Sequence, residues 1–109
     1  MKSLVVPLSL LLLGSWLFGQ GYKPKSGYVP DSATAVKIAE AVLIPVYGDK
    51  QIASERPFTA TLKNGVWTVD GTLRCPDGKG GTTTMCDGGV ASVQISKDDA
   101  RILEMGHGQ

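Results

Sequence analysis

PFTATLKNGVWTVDGTL, residues 57–73, decides the fold because it has the pattern of a β-hairpin. Apolar and polar residues alternate on both sides of Asn64-Gly65, and both turn residues tolerate the positive φ that a type I′ turn requires. The alternation predicts one buried face, made of these side chains: Phe58, Ala60, Leu62, Trp67, Val69 and Leu73. An isolated hairpin is marginal in water, so another element must cover that face.

The covering element is a helix predicted for DSATAVKIAEAVLIPVY, residues 31–47. Its apolar residues follow helical spacing, Asp31 is a good N-cap and Gly48 a good stop. Pro45 lacks an N–H and clashes one turn back, so we expect the helix to kink or end near residues 42–44. Residues 49–56 then form a polar connection, with room for a short strand around residues 51–53.

Two more strands follow the hairpin. GVASVQIS, residues 89–96, alternates with a clear apolar face, and RILEM, residues 101–105, follows the turn KDDA. The sequence therefore predicts an α+β fold in which one N-terminal helix packs on a four-stranded antiparallel sheet.

Cys75 and Cys86 flank PDGKGGTTTM, which is too rich in Gly and Pro for regular structure. If the protein is exported, as the signal-peptide pattern described next predicts, two cysteines at this separation predict a disulfide that staples the loop. The alternative is a reactive thiol pair, but that chemistry favours CxxC spacing or a helix N-terminus.

Residues 1–19 have the layout of a secretory signal peptide: Lys2, then an apolar stretch over residues 4–18, then Gly19. The alternative is an uncleaved anchor, although a bilayer-spanning helix needs about 20 apolar residues. We therefore expect cleavage, no stable membrane anchor afterwards, a flexible tether over residues 20–30, and a single domain over residues 31–109.

Charge and chemistry exclude several function classes. Loss of Lys2 leaves ten basic against ten acidic residues, so the balance gives no case for nucleic acid as a partner. With one histidine and no Cys/His cluster, the sequence predicts neither a metal nor a cofactor. No base, nucleophile and orienting group are brought together by spacing, and His107 between glycines is interpreted as a tail residue, so we predict a protein that is not an enzyme.

Several blocks together resemble the NTF2 fold immunity proteins, small bacterial proteins thought to protect a cell against a cognate polymorphic toxin. The blocks are YVPD at residues 28–31, AVKIAEA at 35–41, IPVYG at 44–48, PF at 57–58, KNGVW at 63–67, GGVA at 88–91, ISKD at 95–98 and IL at 102–103. The resemblance implies an NTF2-like, cystatin-like cone. The family favours Gly in the last turn where this chain has Ala100, so we expect a different turn type there.

The resemblance implies a protein toxin or effector as partner. Combined with the predicted export, it implies a periplasmic inhibitor of a toxin that attacks peptidoglycan or the envelope. The expected contacts lie in the stapled loop, at Asp77, Lys79, Thr82, Thr83, Thr84 and Met85, with the concave face of the sheet as the rival surface. The alternative function is a small periplasmic ligand-binding or envelope-structural domain, and the oligomeric state, monomer or homodimer, is left open.

Overall fold

A long helix packs on one face of a four-stranded antiparallel sheet in the computed structural model, which describes residues 21–109. The elements are α1 Ser32–Tyr47, α2 Asp49–Ser54, β1 Thr59–Lys63, β2 Val66–Asp70, β3 Cys75–Pro76, β4 Thr82–Thr83, β5 Ala91–Ser96 and β6 Ile102–His107. The sheet order is β1-β2-β5-β6, and β3 and β4 form a separate ribbon. The predicted α+β architecture is confirmed. The predicted signal peptide, residues 1–19, lies outside the described residues.

The predicted hairpin is present as β1 and β2. Its turn residues have positive φ, 50° at Asn64 and 75° at Gly65, and Leu62 pairs with Trp67. Phe58, Trp67 and Val69 are buried as expected. Leu62 is 43% exposed, because it lies on the outermost strand and has a neighbouring strand on one side only.

Helix α1 begins as predicted but continues further than expected. The Asp31 carboxylate accepts a hydrogen bond from the Thr34 amide at 2.8 Å. The expected end near residues 42–44 is wrong, because the helix passes through Pro45 and ends at Tyr47. The alternative, a kink there, stays a prediction. Pro45 and Ala41 both lie on the exposed side, so the Ala41 carbonyl that loses its helical partner faces water rather than the core.

The polar connection predicted for residues 49–56 is instead the short helix α2. Gly48, with φ 90°, separates it from α1 and donates its amide to the Ile44 carbonyl at 2.8 Å. Ile52 is fully buried, and it anchors the six residues of α2 to the core. A helix this short contains too few apolar positions to show helical periodicity in the sequence.

The segment just before α1 is held against the fold. The amides of Tyr28 and Val29 donate to the carbonyls of Asp98 and Lys97, each at 3.0 Å, and Val29 is fully buried. The indole Nε1 of Trp67 donates to the Val29 carbonyl at 2.9 Å. The tether predicted over residues 20–30 therefore differs from the structure near its end, where the backbone of Tyr28 and Val29 is hydrogen-bonded and the Val29 side chain is packed.

The turn between β5 and β6 keeps a left-handed residue at Ala100, with φ 64°. The expectation of a different turn type was therefore wrong. The Ala100 side chain packs against the core, and this burial offsets part of the strain of about 1 kcal/mol that a Cβ introduces in that conformation. Strand β6 then extends to His107, two residues beyond its predicted end.

The predicted disulfide between Cys75 and Cys86 is present. It closes a loop across 11 positions of the sequence, and the loop contains the β3–β4 ribbon where no regular structure was expected.

Removal of this disulfide gives a first testable expectation. The double variant Cys75→Ser/Cys86→Ser should lose about 3 kcal/mol of unfolding free energy, because the unfolded chain regains the freedom that the cross-link removes. Urea denaturation measures the loss, with reduced wild-type protein as the matched control. Equal urea midpoints for the oxidised wild type and the double variant would contradict the expectation.

Candidate functional site

The stapled loop is organised around Asp77. Its carboxylate oxygen Oδ1 accepts the amides of Lys79 at 2.7 Å and Gly81 at 3.0 Å. These two hydrogen bonds, that from Lys79 first, lower the pKa of Asp77. The amide of Asp77 in turn donates to the Gly81 carbonyl at 3.1 Å. The loop is therefore closed by the disulfide, by the ribbon and by this local network.

The predicted contact residues divide into two groups: those whose side chains stabilise the loop and those whose side chains are exposed to a partner. Asp77 and Thr83 hold the loop, since the Thr83 hydroxyl accepts the Met85 amide at 3.0 Å. Lys79, Thr82, Thr84 and Met85 are exposed, and Met85 is 91% exposed, which is unusual for a large apolar side chain. The structure thus places these residues together on the surface, and their contact with a partner stays a prediction.

A second cluster, which the sequence did not predict, surrounds Glu55 just after α2. Glu55 is 4% exposed, and it is the only charged residue that is buried within residues 21–109. Its carboxylate accepts from the Ala91 amide at 2.6 Å, from Gln51 Nε2 at 2.8 Å and from His107 Nε2 at 2.9 Å. We call Glu55, His107, Gln51 and Tyr47 the Glu55 cluster.

His107 is a strand residue, so its interpretation as a tail residue was wrong. It pairs with Ala91 in the sheet, and its ring lies 5.4 Å from the Tyr47 ring. Ring nitrogen Nδ1 lies 2.6 Å from the Gly108 carbonyl, while Nε2 faces the Glu55 carboxylate. Because both neighbours are acceptors, serving both requires the doubly protonated imidazolium.

The pKa shifts agree with this charge state. Burial raises the pKa of Glu55, but the hydrogen bonds from Gln51, Ala91 and His107 outweigh burial and leave that pKa lowered. The Gly108 carbonyl first, and then the Glu55 carboxylate, raise the pKa of His107. Each partner therefore favours the charged form of the other.

The arrangement is suited to holding structure rather than to proton transfer. Both ring nitrogens of His107 are engaged, and the Glu55 carboxylate is occupied by three donors. Within residues 21–109, no three His, Cys, Asp or Glu side chains gather as metal ligands. The described helices are all too short or too polar to cross a membrane.

Glu55 was missed because the feature that reveals it is tertiary. In the sequence it lies in QIASERP, a polar stretch that resembles any exposed connection. Gly71 gives no indication of the cluster in the sequence either. In the structure, a Cβ on Gly71 would lie 2.7 Å from Glu55 Oε1. Only the folded arrangement shows that Gly71 leaves room for the carboxylate.

A second surface is formed by the sheet face opposite α1. Alternation places the following side chains there: Thr59, Thr61, Thr68, Asp70, Ser92, Gln94, Ser96 and Glu104. Neither α1 nor α2 covers this face. Beside it, a groove of about 260 Å³ is lined by residues of β5 and β6, including Gln94, Glu104 and His107.

A family model described as NTF2 fold immunity protein matches residues 34–109. The chain belongs to the NTF2 fold immunity protein family. The matched region begins in the first turn of α1 and contains every strand of the sheet and the stapled loop. It confirms the family resemblance seen in the sequence and the NTF2 fold assigned from it.

The chain is also similar to the protein YhhH of Escherichia coli strain K12, which is described as uncharacterized. The two are 32% identical over 81 residues, which cover 74% of this NTF2 fold immunity protein and 58% of YhhH. The chain thus spans less than two thirds of the length of that relative. No solved structure matches the chain.

Proposed function

We propose that this protein is a periplasmic immunity protein that binds a cognate toxin and blocks its active site sterically. Membership of the NTF2 fold immunity protein family carries the proposal. The Glu55 cluster supports a binding role rather than catalysis, because its carboxylate and imidazole are consumed by internal hydrogen bonds.

The proposed periplasmic location is supported by one feature of the sequence and one of the structure. The chain starts with the pattern of a signal peptide, and a disulfide is typical of an oxidising compartment. An inhibitor must meet its target where the target works. We therefore propose that the toxin attacks peptidoglycan or another part of the envelope.

The stapled loop is the proposed contact surface. Its cross-link and the hydrogen bonds of Asp77 reduce its freedom before binding, which lowers the entropy lost on association. Met85 supplies an exposed apolar anchor, and Lys79 supplies an exposed charge in the same loop. A pre-organised loop with one apolar anchor is well suited to enter a cleft.

The function is tested by capture of the partner from periplasmic extract of the producing cell, using tagged protein and mass spectrometry. One stoichiometric partner that kills cells lacking this protein, and is neutralised by it, is the expected result. Absence of any partner while neighbouring genes are expressed would contradict the proposal and favour the ligand-binding alternative.

The contact surface is tested separately with the captured toxin. Deletion of residues 78–84, with both cysteines retained, should weaken binding by about hundredfold or more, and Met85→Ala by about tenfold, as expected for central contacts. The matched variants Thr68→Arg and Gln94→Arg lie on the open sheet face. If these abolish binding while the loop variants do not, the loop assignment is wrong although the immunity role stands.

A further inference from the structure

Strands β5 and β6 form a hairpin whose two ends are held differently. At one end the chain turns through residues 97–101, where the Ser96 amide donates to the Arg101 carbonyl at 2.9 Å. At the other end, Ala91 and His107 are paired across the ladder, and we call this pair the open end. No turn connects the strands there, and strand pairs fray first at such ends.

Glu55 holds both strands at the open end. Its Oε1 accepts the Ala91 amide, and its Oε2 accepts His107 Nε2. The Glu55 backbone carbonyl also accepts the Thr72 amide at 2.7 Å. One buried residue therefore links the end of α2, the segment after β2 and both strands of the hairpin.

The number of hydrogen bonds at His107 depends on its charge. The imidazolium has two N–H groups, which serve the Glu55 carboxylate and the Gly108 carbonyl together. The neutral ring has only one N–H and one acceptor nitrogen. Loss of the proton therefore leaves one of the two oxygens without its donor and leaves the buried Glu55 without its counter-charge.

We propose that His107 and Glu55 form a proton-dependent latch, which closes the open end of the β5–β6 hairpin when His107 is charged and loosens it when His107 is neutral. This inference depends on the geometry of the cluster and not on the immunity role. Loosening would free the end of β6 and reshape the adjoining groove, of which His107, Gly106 and Gly108 are walls.

Two other side chains contact the latch from the elements around it. Tyr47 of α1 packs its ring on His107, and Gln51 of α2 donates to Glu55 Oε2 without carrying charge. Glu104 of β6 lines the same groove as His107, but it pairs with Gln94, whereas His107 pairs with Ala91, so alternation places its side chain on the opposite face of the sheet.

The pH window follows from the direction of the two shifts. The pKa of His107 is raised, so the stability it contributes is complete below its ordinary value of about 6.5 and disappears as pH rises through the folded value. The pKa of Glu55 is lowered, so its contribution is complete above about 4.3 and disappears as pH falls through the folded value. The latch is closed between these two folded values.

Amide hydrogen exchange on the untagged protein tests the latch at about pH 5.5 and about pH 9, on either side of the ordinary histidine pKa. The reporter is the Gly108 amide, which donates to the Val90 carbonyl at 3.1 Å, and the reference is the buried Val69 amide in β2. After correction for intrinsic exchange, protection at Gly108 should fall by roughly fivefold to tenfold at the higher pH, the scale of one ordinary hydrogen bond. Protection at Val69 should not change.

Variants separate the latch from other causes. His107→Gln and Glu55→Gln should each abolish the pH-dependent fall, while Glu104→Gln should retain it. His107 is the single histidine of the sequence, so NMR follows its titration directly. Constant protection at Gly108 across a titration that His107 visibly completes would overturn the latch. So would a fall in Gly108 protection as large as that of the wild type in either His107→Gln or Glu55→Gln.

Discussion

Trp67→Ala should be among the most destabilising single substitutions in this protein, lowering the free energy of unfolding by about 3–5 kcal/mol. Trp67 is 6% exposed and belongs to the core between α1 and the sheet. Truncation leaves a large cavity and also removes the donor of the Val29 carbonyl. Two losses therefore add at one position, and chemical denaturation followed by circular dichroism measures their sum.

Trp67→Phe separates the two losses. The phenyl ring keeps most of the packing but has no N–H, so the buried Val29 carbonyl loses its donor, at a cost of about 1–3 kcal/mol. Leu62→Ala is the matched control, because Leu62 pairs with Trp67 in the hairpin but is 43% exposed. A loss from Trp67→Ala no larger than that from Leu62→Ala would show that Trp67 does not anchor the core.

The features that the sequence predicted correctly depend on local sequence patterns. The alternation around Asn64-Gly65 and the Asp31 cap depend on neighbours a few positions away. The Cys75–Cys86 pair followed from composition and compartment. These patterns can be recognised in a single sequence because turn geometry, capping and strand alternation each restrict the residue types at fixed spacing.

The features that it missed depend on contacts between distant segments. Val29 is fixed by Trp67, 38 positions later, and Glu55 by His107, 52 positions later. Pro45 was expected to kink or end α1, and the helix does not end there because its position on the exposed side removes most of the cost. In each case the deciding quantity is burial, which a single sequence does not display.

The same reasoning explains why the loop residues were proposed and the cluster was not. Lys79 and Met85 lie in a stretch whose composition marks a surface loop. Glu55 lies in a stretch of similar polarity but enters the core, where Gly71 leaves space for it. For a polar residue such as Glu55, shortly before a strand, the sequence alone therefore does not tell whether the side chain is exposed or buried; the folded structure does.

Glu55→Ala is the second substitution expected to have a large effect, with a loss of about 3 kcal/mol or more in the free energy of unfolding. The carboxylate is buried and holds three donors. Its removal leaves the Ala91 amide without an acceptor inside the protein and His107 without its counter-charge. For a domain of this size, each kcal/mol corresponds to a fall of about 4–8 °C in Tm, so thermal unfolding near neutral pH detects the change.

Glu55→Gln distinguishes the loss of the acceptor from the loss of the charge. The amide oxygen can still accept the Ala91 amide, and the amide nitrogen can donate to Nε2 of a neutral His107, which then donates from Nδ1 to Gly108. Gln51, which donates to Oε2 in the wild type, must turn its amide so that its oxygen faces the new nitrogen. We therefore expect a smaller loss, about 1 kcal/mol, that no longer varies with pH through the histidine range. Glu104→Ala is the control for removing an exposed carboxylate from the strand that contains His107, and it should change stability by no more than about 0.5 kcal/mol. If Glu55→Ala costs no more than Glu104→Ala, the cluster does not hold the β5–β6 hairpin to α2.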